Sequence, residues 1–124
     1  NRTAEKAQEI ADALPEYGFI VDPITDFKEA VKECALVVYT LPVALPQILE
    51  LSADDFAVEN SGRGKIILEA NYRNPSFGEE AICRLASADG IYIDGRKWLL
   101  NQALTGYGIM TGIEPGLDAM LKAL

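Results

Sequence analysis

The side chains of this chain that could do chemistry are few, and the first of them favour phosphate binding. Arg2 carries a planar guanidinium, which can donate two parallel hydrogen bonds to one phosphate group. Thr3 follows with a hydroxyl, and a helix that begins there would add backbone amide donors. The alternative is an ordinary surface arginine that binds no ligand. Residues 1–3 are therefore a candidate phosphate site.

Nucleophilic and metal chemistry have almost no candidates in the chain. It contains no histidine, so neither a Ser-His nor a Cys-His nucleophile system can form within it. Cys34 and Cys83 are too few for a metal-ligand spacing, and the apolar helical context of each predicts a buried, unpaired thiol. Free thiols favour a reducing, cytoplasmic compartment. We assign no catalytic residue and no metal ligand, and any acid–base step would depend on carboxylates, lysines or tyrosines.

Two further polar side chains could contact a substrate. Tyr72 follows a predicted strand by three residues, and Gln102 lies on a predicted helix among apolar residues, where an amide must find a partner. Each could bond a substrate hydroxyl; alternatively, Tyr72 packs over the sheet edge and Gln102 satisfies a loop carbonyl. Residues 106–112 have GxGxxxG spacing with no strand before them, which indicates close helix packing and not a dinucleotide fingerprint.

Composition and charge describe one globular domain that binds neither nucleic acid nor membranes. The 124 residues suit a single domain. The net charge is −8 and the basic residues are scattered, whereas nucleic-acid binders carry a basic patch. No apolar run reaches the roughly 18 residues of a membrane span. We therefore predict neither nucleic-acid nor membrane binding.

The elements that must position these side chains follow from hydrophobic periodicity. Apolar residues at i, i+3, i+4 and i+7 predict helices, and short β-branched runs predict strands. Thr3 is expected to cap the first helix with its hydroxyl, and Gly18 to end it. Predicted helices cover residues 4–17, 27–34, 47–51, 79–88, 98–110 and 117–124. Predicted strands cover residues 19–21, 35–39, 65–69 and 91–93, and residues 52–64 form a surface loop.

The alternation of helices and strands predicts an α/β fold with a parallel sheet. The strand at residues 35–39 is continuously apolar, as in a sheet covered on both faces. Ligands of such sheets bind beyond the carboxyl ends of the strands. That rule selects residues 40–43, 69–72 and 94–95, joined by residues 1–3 if a strand ends just before them.

Two stretches of the sequence resemble the shikimate dehydrogenase family. Asn1-Arg2-Thr3, followed by Lys6-Ala7, resembles the Asn-Arg-Thr segment that ends the second strand of that family's cofactor domain. The family's final signature has a glycine, a hydrophobic pair, a Gln-Ala step, an aromatic residue and a closing Thr-Gly. The same spacing occurs in Gly95, Leu99-Leu100, Gln102-Ala103, Tyr107 and Thr111-Gly112. Between the two stretches, Glu69 and Tyr72 match a strand-end Asp-x-x-Tyr, with Glu for Asp.

The resemblance covers the chain from end to end and implies a fold. Residues 1–124 would form the C-terminal part of an NADP-binding domain. Its fold would be α/β, with a Rossmann-like parallel sheet that is incomplete because the first two strands are missing. The family's glycine-rich phosphate loop would be missing with them.

The resemblance also implies a cofactor, a substrate and a reaction. The 2′-phosphate of NADP would be held by Asn1, Arg2 and Thr3, together with Lys6. The cofactor would lie along a groove lined by Thr40 and Leu41, and its nicotinamide would lie beside Gly95. Shikimate or 3-dehydroshikimate would contact Tyr72 and Gln102. The reaction would be reversible reduction of 3-dehydroshikimate to shikimate, in aromatic amino acid biosynthesis. The family's catalytic Lys and Asp lie in an N-terminal domain, so this part alone is expected to be inactive.

Three departures from the family pattern leave other functions open. Tyr39-Thr40-Leu41 replaces an Asn-Ala-Thr turn, Glu69 replaces Asp, and Met110 replaces a common aromatic residue. These changes leave room for a paralogue that acts on quinate, or for a non-catalytic nucleotide-binding or interaction module. The signature from Gly95 to Gly112 argues against an NADP domain of another reductase.

The missing strands would affect association. In the strand order 3-2-1-4-5-6 the first strand is central, so without it the third and fourth strands cannot pair with each other. An unpaired edge is a template for another strand. We therefore expect the chain to rearrange, to form a homodimer through that edge, or to occur beside the rest of its protein.

Overall fold

The structure, a computed structural model, describes residues 3–123, and of Ala123 only the backbone. Short 3-10 turns lie at Pro15–Tyr17, Ile24–Asp26 and Asp54–Phe56. The helices and strands, in chain order, are α1 (Ala4–Ala13), α2 (Phe27–Glu33), β1 (Leu36–Tyr39), α3 (Gln47–Glu50), β2 (Ala57–Val58), β3 (Arg63–Gly64), β4 (Ile66–Glu69), α4 (Glu79–Ser87), β5 (Ile91–Ile93), α5 (Gly95–Thr111) and α6 (Leu117–Ala123).

Strands β1, β4 and β5 form a parallel sheet in the order β1-β4-β5. Leu36 lies opposite Ile66 and Tyr39 opposite Glu69, while Ile67 pairs with Tyr92 on the other side of β4. The connections between these strands contain α3 and α4 and return the chain to the end of the sheet where the strands begin, as parallel strands require. The expected α/β, Rossmann-like class is confirmed.

One face of the sheet carries the core. Side chains alternate along a strand, and in β4 the alternation buries Ile67 and Glu69 while leaving Ile66 exposed. Helices α2, α3 and α4 each bury residues against this face. The buried core consists of Val31, Tyr39, Ile48, Leu51, Phe56, Ile67, Phe77, Ala81 and Leu85.

The other face of the sheet is largely open, so the prediction of a strand covered on both faces is wrong. In β1, Leu36 is 53% exposed and Val38 is 48% exposed, and Ile91 in β5 is 56% exposed. No helix of the described residues packs over this part of the sheet; α5 reaches only the part near Leu68 and Ile93. Strand β1 is therefore continuously apolar, although one of its faces is buried in the core and the other is exposed.

The predicted strand at residues 19–21 does not form. Residues 19–23 are irregular, and Phe19 and Ile20 are exposed. A strand needs a hydrogen-bonded neighbour, and none of the described residues lies beside this segment as a strand. Helix α1 also ends earlier than predicted, at Ala13, because Pro15 cannot continue it. Gly18, with φ of 61°, closes the 3-10 turn that follows.

The predicted burial of both cysteines is wrong. Cys34 and Cys83 are unpaired but exposed. In α4 the buried residues are Ala81 and Leu85, one turn apart, and Cys83 lies between them on the opposite side of the helix. Helix α6 packs on α5 alone among its main contacts, so its apolar side stays about half exposed.

The predicted surface loop at residues 52–64 contains a buried carboxylate. Asp55 lies in the 3-10 turn and accepts hydrogen bonds from the backbone N–H of Ser52 at 2.7 Å and from its hydroxyl at 2.8 Å. Burial raises the pKa of Asp55, but the bonds from Ser52 and the charges of Lys28 and Lys32 outweigh burial and lower it. The loop also contains the β2–β3 hairpin.

Among residues 3–123, no helix is long and apolar enough to cross a membrane. Within the same range, no three or more metal-binding side chains are grouped so that they could hold an ion.

Candidate functional site at the carboxyl ends of the strands

The segments that follow β1 and β4 lie side by side and are tied together by one amide. The side-chain N–H₂ of Asn71 donates to the backbone carbonyl of Leu41 and, at 3.0 Å, to the hydroxyl of Ser76. Asn71 therefore bridges a segment 30 residues away in sequence. The structure thus brings Leu41 next to the segment that carries Tyr72.

The turn after β1 takes its shape from Tyr39. The Tyr39 hydroxyl donates to the carbonyl of Val43 at 2.5 Å and accepts from the backbone N–H of Leu45 at 3.2 Å. Burial raises the pKa of Tyr39, so the hydroxyl keeps its proton and can donate at neutral pH. Thr40 is exposed and Leu41 half-buried at the start of this turn. The tyrosine that replaces the family's asparagine therefore has a structural role in holding this loop.

The segment after β4 takes its shape from Glu69. This carboxylate is fully buried and accepts the backbone N–H groups of Ser76 and Phe77 and the hydroxyl of Tyr92, the last at 2.6 Å. Burial, followed by the bond to Glu69 and its charge, raises the pKa of Tyr92 far above its usual range. Glu69 therefore closes residues 70–77 into a loop whose outer side presents Tyr72, which is 39% exposed.

Gly95, the first residue of α5, packs against that loop. A Cβ on Gly95 would lie 2.5 Å from the carbonyl carbon of Asn71 and 2.6 Å from the backbone N of Tyr72. Neither backbone atom could move away without moving the whole segment. The lack of a side chain at residue 95 is therefore already required by protein packing, and the predicted contact of Gly95 with nicotinamide stays a prediction.

Two clefts open on either side of Asn71, Tyr72 and Arg73. One, of about 240 Å³, lies toward the β1 turn and is also lined by Pro42, Ala70 and Asn74. The other, of about 350 Å³, lies toward α5 and is also lined by Pro75, Asp94, Gly95 and Arg96. A larger cleft of about 600 Å³ lies at the far end of α5 near Pro115, away from the strand ends, and no cation lines it.

Gln102 lines neither of the two clefts at the strand ends. It is exposed and lines an apolar depression of about 400 Å³ with Leu68, Ile93 and Trp98. Gln102 is seven residues after Gly95 on α5, which corresponds to about 10 Å along the helix axis. Tyr72 and Gln102 do not line a common cleft in the described structure, and their substrate contacts stay predictions.

The predicted 2′-phosphate residues lie partly outside the described residues. Asn1 and Arg2 fall there. Thr3 occupies the N-cap position of α1, but its side-chain oxygen does not accept the predicted hydrogen bond from a helix amide, and Lys6 is exposed in the first turn. None of the residues of α1 is buried, and neither Thr3 nor Lys6 is among the residues that line the two clefts at the strand ends.

The sequence analysis assigned no role to three side chains at these strand ends, although the selected segment 69–72 contains Asn71. Asn71 bridges the two loops, and Arg73 and Arg96 line the 350 Å³ cleft. The two arginines could have been found as basic residues directly after predicted strand ends in an acidic chain. Asn71 had no such signal, because its partner at Leu41 is distant in sequence.

A comparison with known proteins finds similarity to a dehydrogenase. No protein-family model matches the chain, and no curated protein matches it. Among solved structures, the chain is similar to the crystal structure of shikimate dehydrogenase from Mycobacterium tuberculosis, with a TM-score of 0.64 and 26% sequence identity. The match covers 99% of this chain and 45% of that protein. The chain therefore spans less than half the length of the enzyme, and the resemblance found in the sequence is confirmed in the structure.

The clefts at the strand ends carry side chains that suit an anionic group. Both clefts lie where doubly wound sheets bind ligands, and the side chains of Tyr72, Arg73 and Arg96 suit a polar, anionic molecule. The space beside the Cα of Gly95, in contrast, is filled by the chain's own backbone. The side chains that line the two clefts therefore suit an anionic group, such as a phosphate of a nucleotide.

Proposed function

We propose that this chain is the C-terminal half of an NADP-dependent shikimate dehydrogenase, which reduces 3-dehydroshikimate to shikimate. The observation that supports the proposal best is the similarity to the tuberculosis enzyme over 99% of the chain. The loops of Leu41, Tyr72 and Gly95 support it further, because they meet at the carboxyl ends of the strands. The cofactor supplies the hydride when it is bound.

In this proposal the chain's own residues bind and orient the cofactor and the substrate. Arg2 and Lys6 hold the adenosine 2′-phosphate, with Asn1 and Thr3 beside them, and Thr40 and Leu41 line the groove. Tyr72 and Gln102 hold the substrate, and Gly95 lies beside the nicotinamide. Glu69 keeps the loop of Tyr72 in place through its three hydrogen bonds. The proton is transferred by residues of the protein outside this chain.

The experiment is a turnover assay with the full-length protein, which follows NADP reduction with shikimate and with quinate and is repeated with NAD. We expect turnover with shikimate and NADP. Arg2→Ala is expected to raise KM for NADP about ten-fold or more, because a charge-assisted phosphate bond is lost. The KM for NAD, which lacks the 2′-phosphate, is expected to stay unchanged.

The control variant and the competing functions give distinct outcomes. Arg63→Ala changes an exposed arginine in β3, beyond the amino end of β4 and opposite the strand ends, and is expected to leave both KM values unchanged. Turnover with quinate alone would replace shikimate with quinate as the substrate. Binding of NADP without turnover on either acid would favour the non-catalytic module.

A further inference from the structure

One residue connects the three segments that follow the strands of the parallel sheet. Asn71 lies in residues 70–77, the Tyr72 loop, and its N–H₂ group donates to the carbonyl of Leu41 in residues 40–45, the β1 turn. The backbone of Asn71 also lies against the start of α5, where a Cβ on Gly95 would be 2.5 Å from its carbonyl carbon. Asn71 lines both the cleft of about 240 Å³ and the cleft of about 350 Å³. It is therefore part of the wall that the two clefts share.

Both donor positions of the Asn71 amide are used within the protein. Besides the carbonyl of Leu41, the amide donates to the hydroxyl oxygen of Ser76 at 3.0 Å. Ser76 is itself buried, and its backbone N–H donates to the carboxylate of Glu69. The amide is thus held at two points, and a displacement of Leu41 is transmitted to the Tyr72 loop through two hydrogen bonds.

The bond from Asn71 to Leu41 has no substitute in the described part of the chain. The last backbone bond between β1 and β4 runs from the N–H of Ala70 to the carbonyl of Tyr39 at 2.9 Å. Beyond it, within residues 3–123, the Asn71 side chain makes the one hydrogen bond that joins the β1 turn to the Tyr72 loop. Loss of this side chain would therefore let the two loops move independently.

We propose that Asn71 is a positioning residue that couples the two clefts, so that a cofactor along the β1 turn and a substrate at Tyr72 strengthen each other's binding. This rests on the proposed function. A ligand that orders the shared wall leaves less ordering for the second ligand, and this gives positive cooperativity without a change of shape. The coupling is equal in both directions, because it is a difference between binding free energies.

The test is calorimetric titration of the full-length protein with NADP, alone and with saturating 3-dehydroshikimate. Both compounds are oxidised forms, so no hydride is transferred between them. The ratio of the two Kd values for NADP measures the coupling. We expect 3-dehydroshikimate to lower the Kd about three- to ten-fold in the original protein, which is the range that one hydrogen bond supplies. Asn71→Leu has a side chain of similar size without the amide, and its two Kd values are expected to be nearly equal.

Tyr92→Phe is the control for a purely structural role. It removes a donor to Glu69 in the same loop but leaves the bond from Asn71 to Leu41 in place, so it is expected to keep the ratio of the original protein. Ser76→Ala, a second variant, removes only the other bond of the amide and is expected to lower the ratio. Added to Asn71→Leu, it should change the ratio no further.

Three results would overturn the proposal. The first is an original protein whose Kd for NADP does not respond to 3-dehydroshikimate. The second is an unchanged ratio in Asn71→Leu, even if both ligands bind more weakly, since the residue would then have a structural role alone. The third is an equal loss of the ratio in Tyr92→Phe.

Failure of the proposed function gives a different pattern. If the original protein binds neither compound, amide hydrogen exchange of the ligand-free protein still measures the link between the loops. Asn71→Leu should then accelerate exchange at the backbone N–H of Leu45 in the β1 turn and of Ser76 in the Tyr72 loop. This would retain Asn71 as the link between the clefts without the dehydrogenase. Acceleration confined to Ser76 would reject the link as well.

Discussion

Removal of the charge on Glu69 is expected to destabilise the fold, because this fully buried carboxylate is the common acceptor of three donors. The backbone N–H groups of Ser76 and Phe77 and the hydroxyl of Tyr92 all bond to it. Glu69→Gln keeps the size of the side chain and replaces one acceptor oxygen with an N–H₂ donor. The amide oxygen can still accept from one backbone group, and the tyrosine hydroxyl can rotate to accept from the new donor.

The expected cost follows from counting these bonds. In Glu69→Gln one backbone N–H loses its acceptor, which costs about 1–3 kcal/mol when the group is buried. The remaining bonds lose their charge assistance, which costs about 1 kcal/mol more for the set. We therefore expect the free energy of unfolding to fall by about 3 kcal/mol. Tyr92→Phe removes one of the three donors and leaves the other two paired, so about 1.5 kcal/mol is expected.

The assay is urea unfolding followed by far-UV circular dichroism, with amide hydrogen exchange as a second readout. The unfolding free energy should decrease in the order original protein, Tyr92→Phe, Glu69→Gln. Exchange should accelerate most at one of the two amides of Ser76 and Phe77, the one whose acceptor oxygen is replaced by the N–H₂ group. The reasoning is refuted if Glu69→Gln changes the free energy by less than about 0.5 kcal/mol, or if Tyr92→Phe costs more than Glu69→Gln.

Three further changes test other parts of the fold. Gly95→Ala is expected to lower the free energy of unfolding in urea by about 2 kcal/mol, because its Cβ would meet backbone atoms. Gly106 lies in the same helix, and a Cβ there would meet no atom within 4 Å, so Gly106→Ala should raise the free energy of unfolding by about 0.5–1 kcal/mol. Equal effects of the two substitutions would contradict the packing argument. The lowered pKa of Asp55 contributes stability that is present above its unfolded value of 3.8 and is lost as pH falls through the folded value. Between about pH 5 and about pH 2 the free energy of unfolding should therefore fall more in the original protein than in Asp55→Asn. Parallel pH profiles of the two proteins would refute this. The chain by itself is expected to associate through the open edge and face of β1, so Val38→Lys should lower the mass in sedimentation velocity. Leu49→Lys, on α3 away from that edge, should leave the mass unchanged. If the chain without any substitution is monomeric, the predicted association is wrong.

Local pattern predicted most of the elements, because helix and strand periodicities depend on neighbouring residues. The helix Glu79–Ser87 and the strand Ile91–Ile93 were predicted to within one residue, since each has both an apolar pattern and a clear end signal. The strand at residues 19–21 was wrong for the opposite reason. Its apolar run has the composition of a strand, but strand formation also needs a partner, and no described residue provides one.

The candidate site could be located from the sequence, but its side-chain contacts could not. The rule that ligands bind at strand ends selected the segments of Leu41, Tyr72 and Gly95. It did not predict that Asn71 would bond to Leu41, or that Glu69 would hold the Tyr72 loop through Tyr92, 23 residues away. Burial of the cysteines was predicted wrongly, because an apolar neighbourhood in sequence does not show which side of a helix faces the core.

By itself, the sequence determined the α/β class, most of the helix and strand spans and the end of the sheet where the candidate site lies. Each of these depends on residue type and on spacing within one element. The open face of the sheet, the space required beside Gly95 and the meeting of Arg73 with Arg96 at one cleft were decided only by the tertiary structure. These features depend on the distance between segments that are far apart in the chain, and packing of β4, its loop and α5 against one another sets that distance.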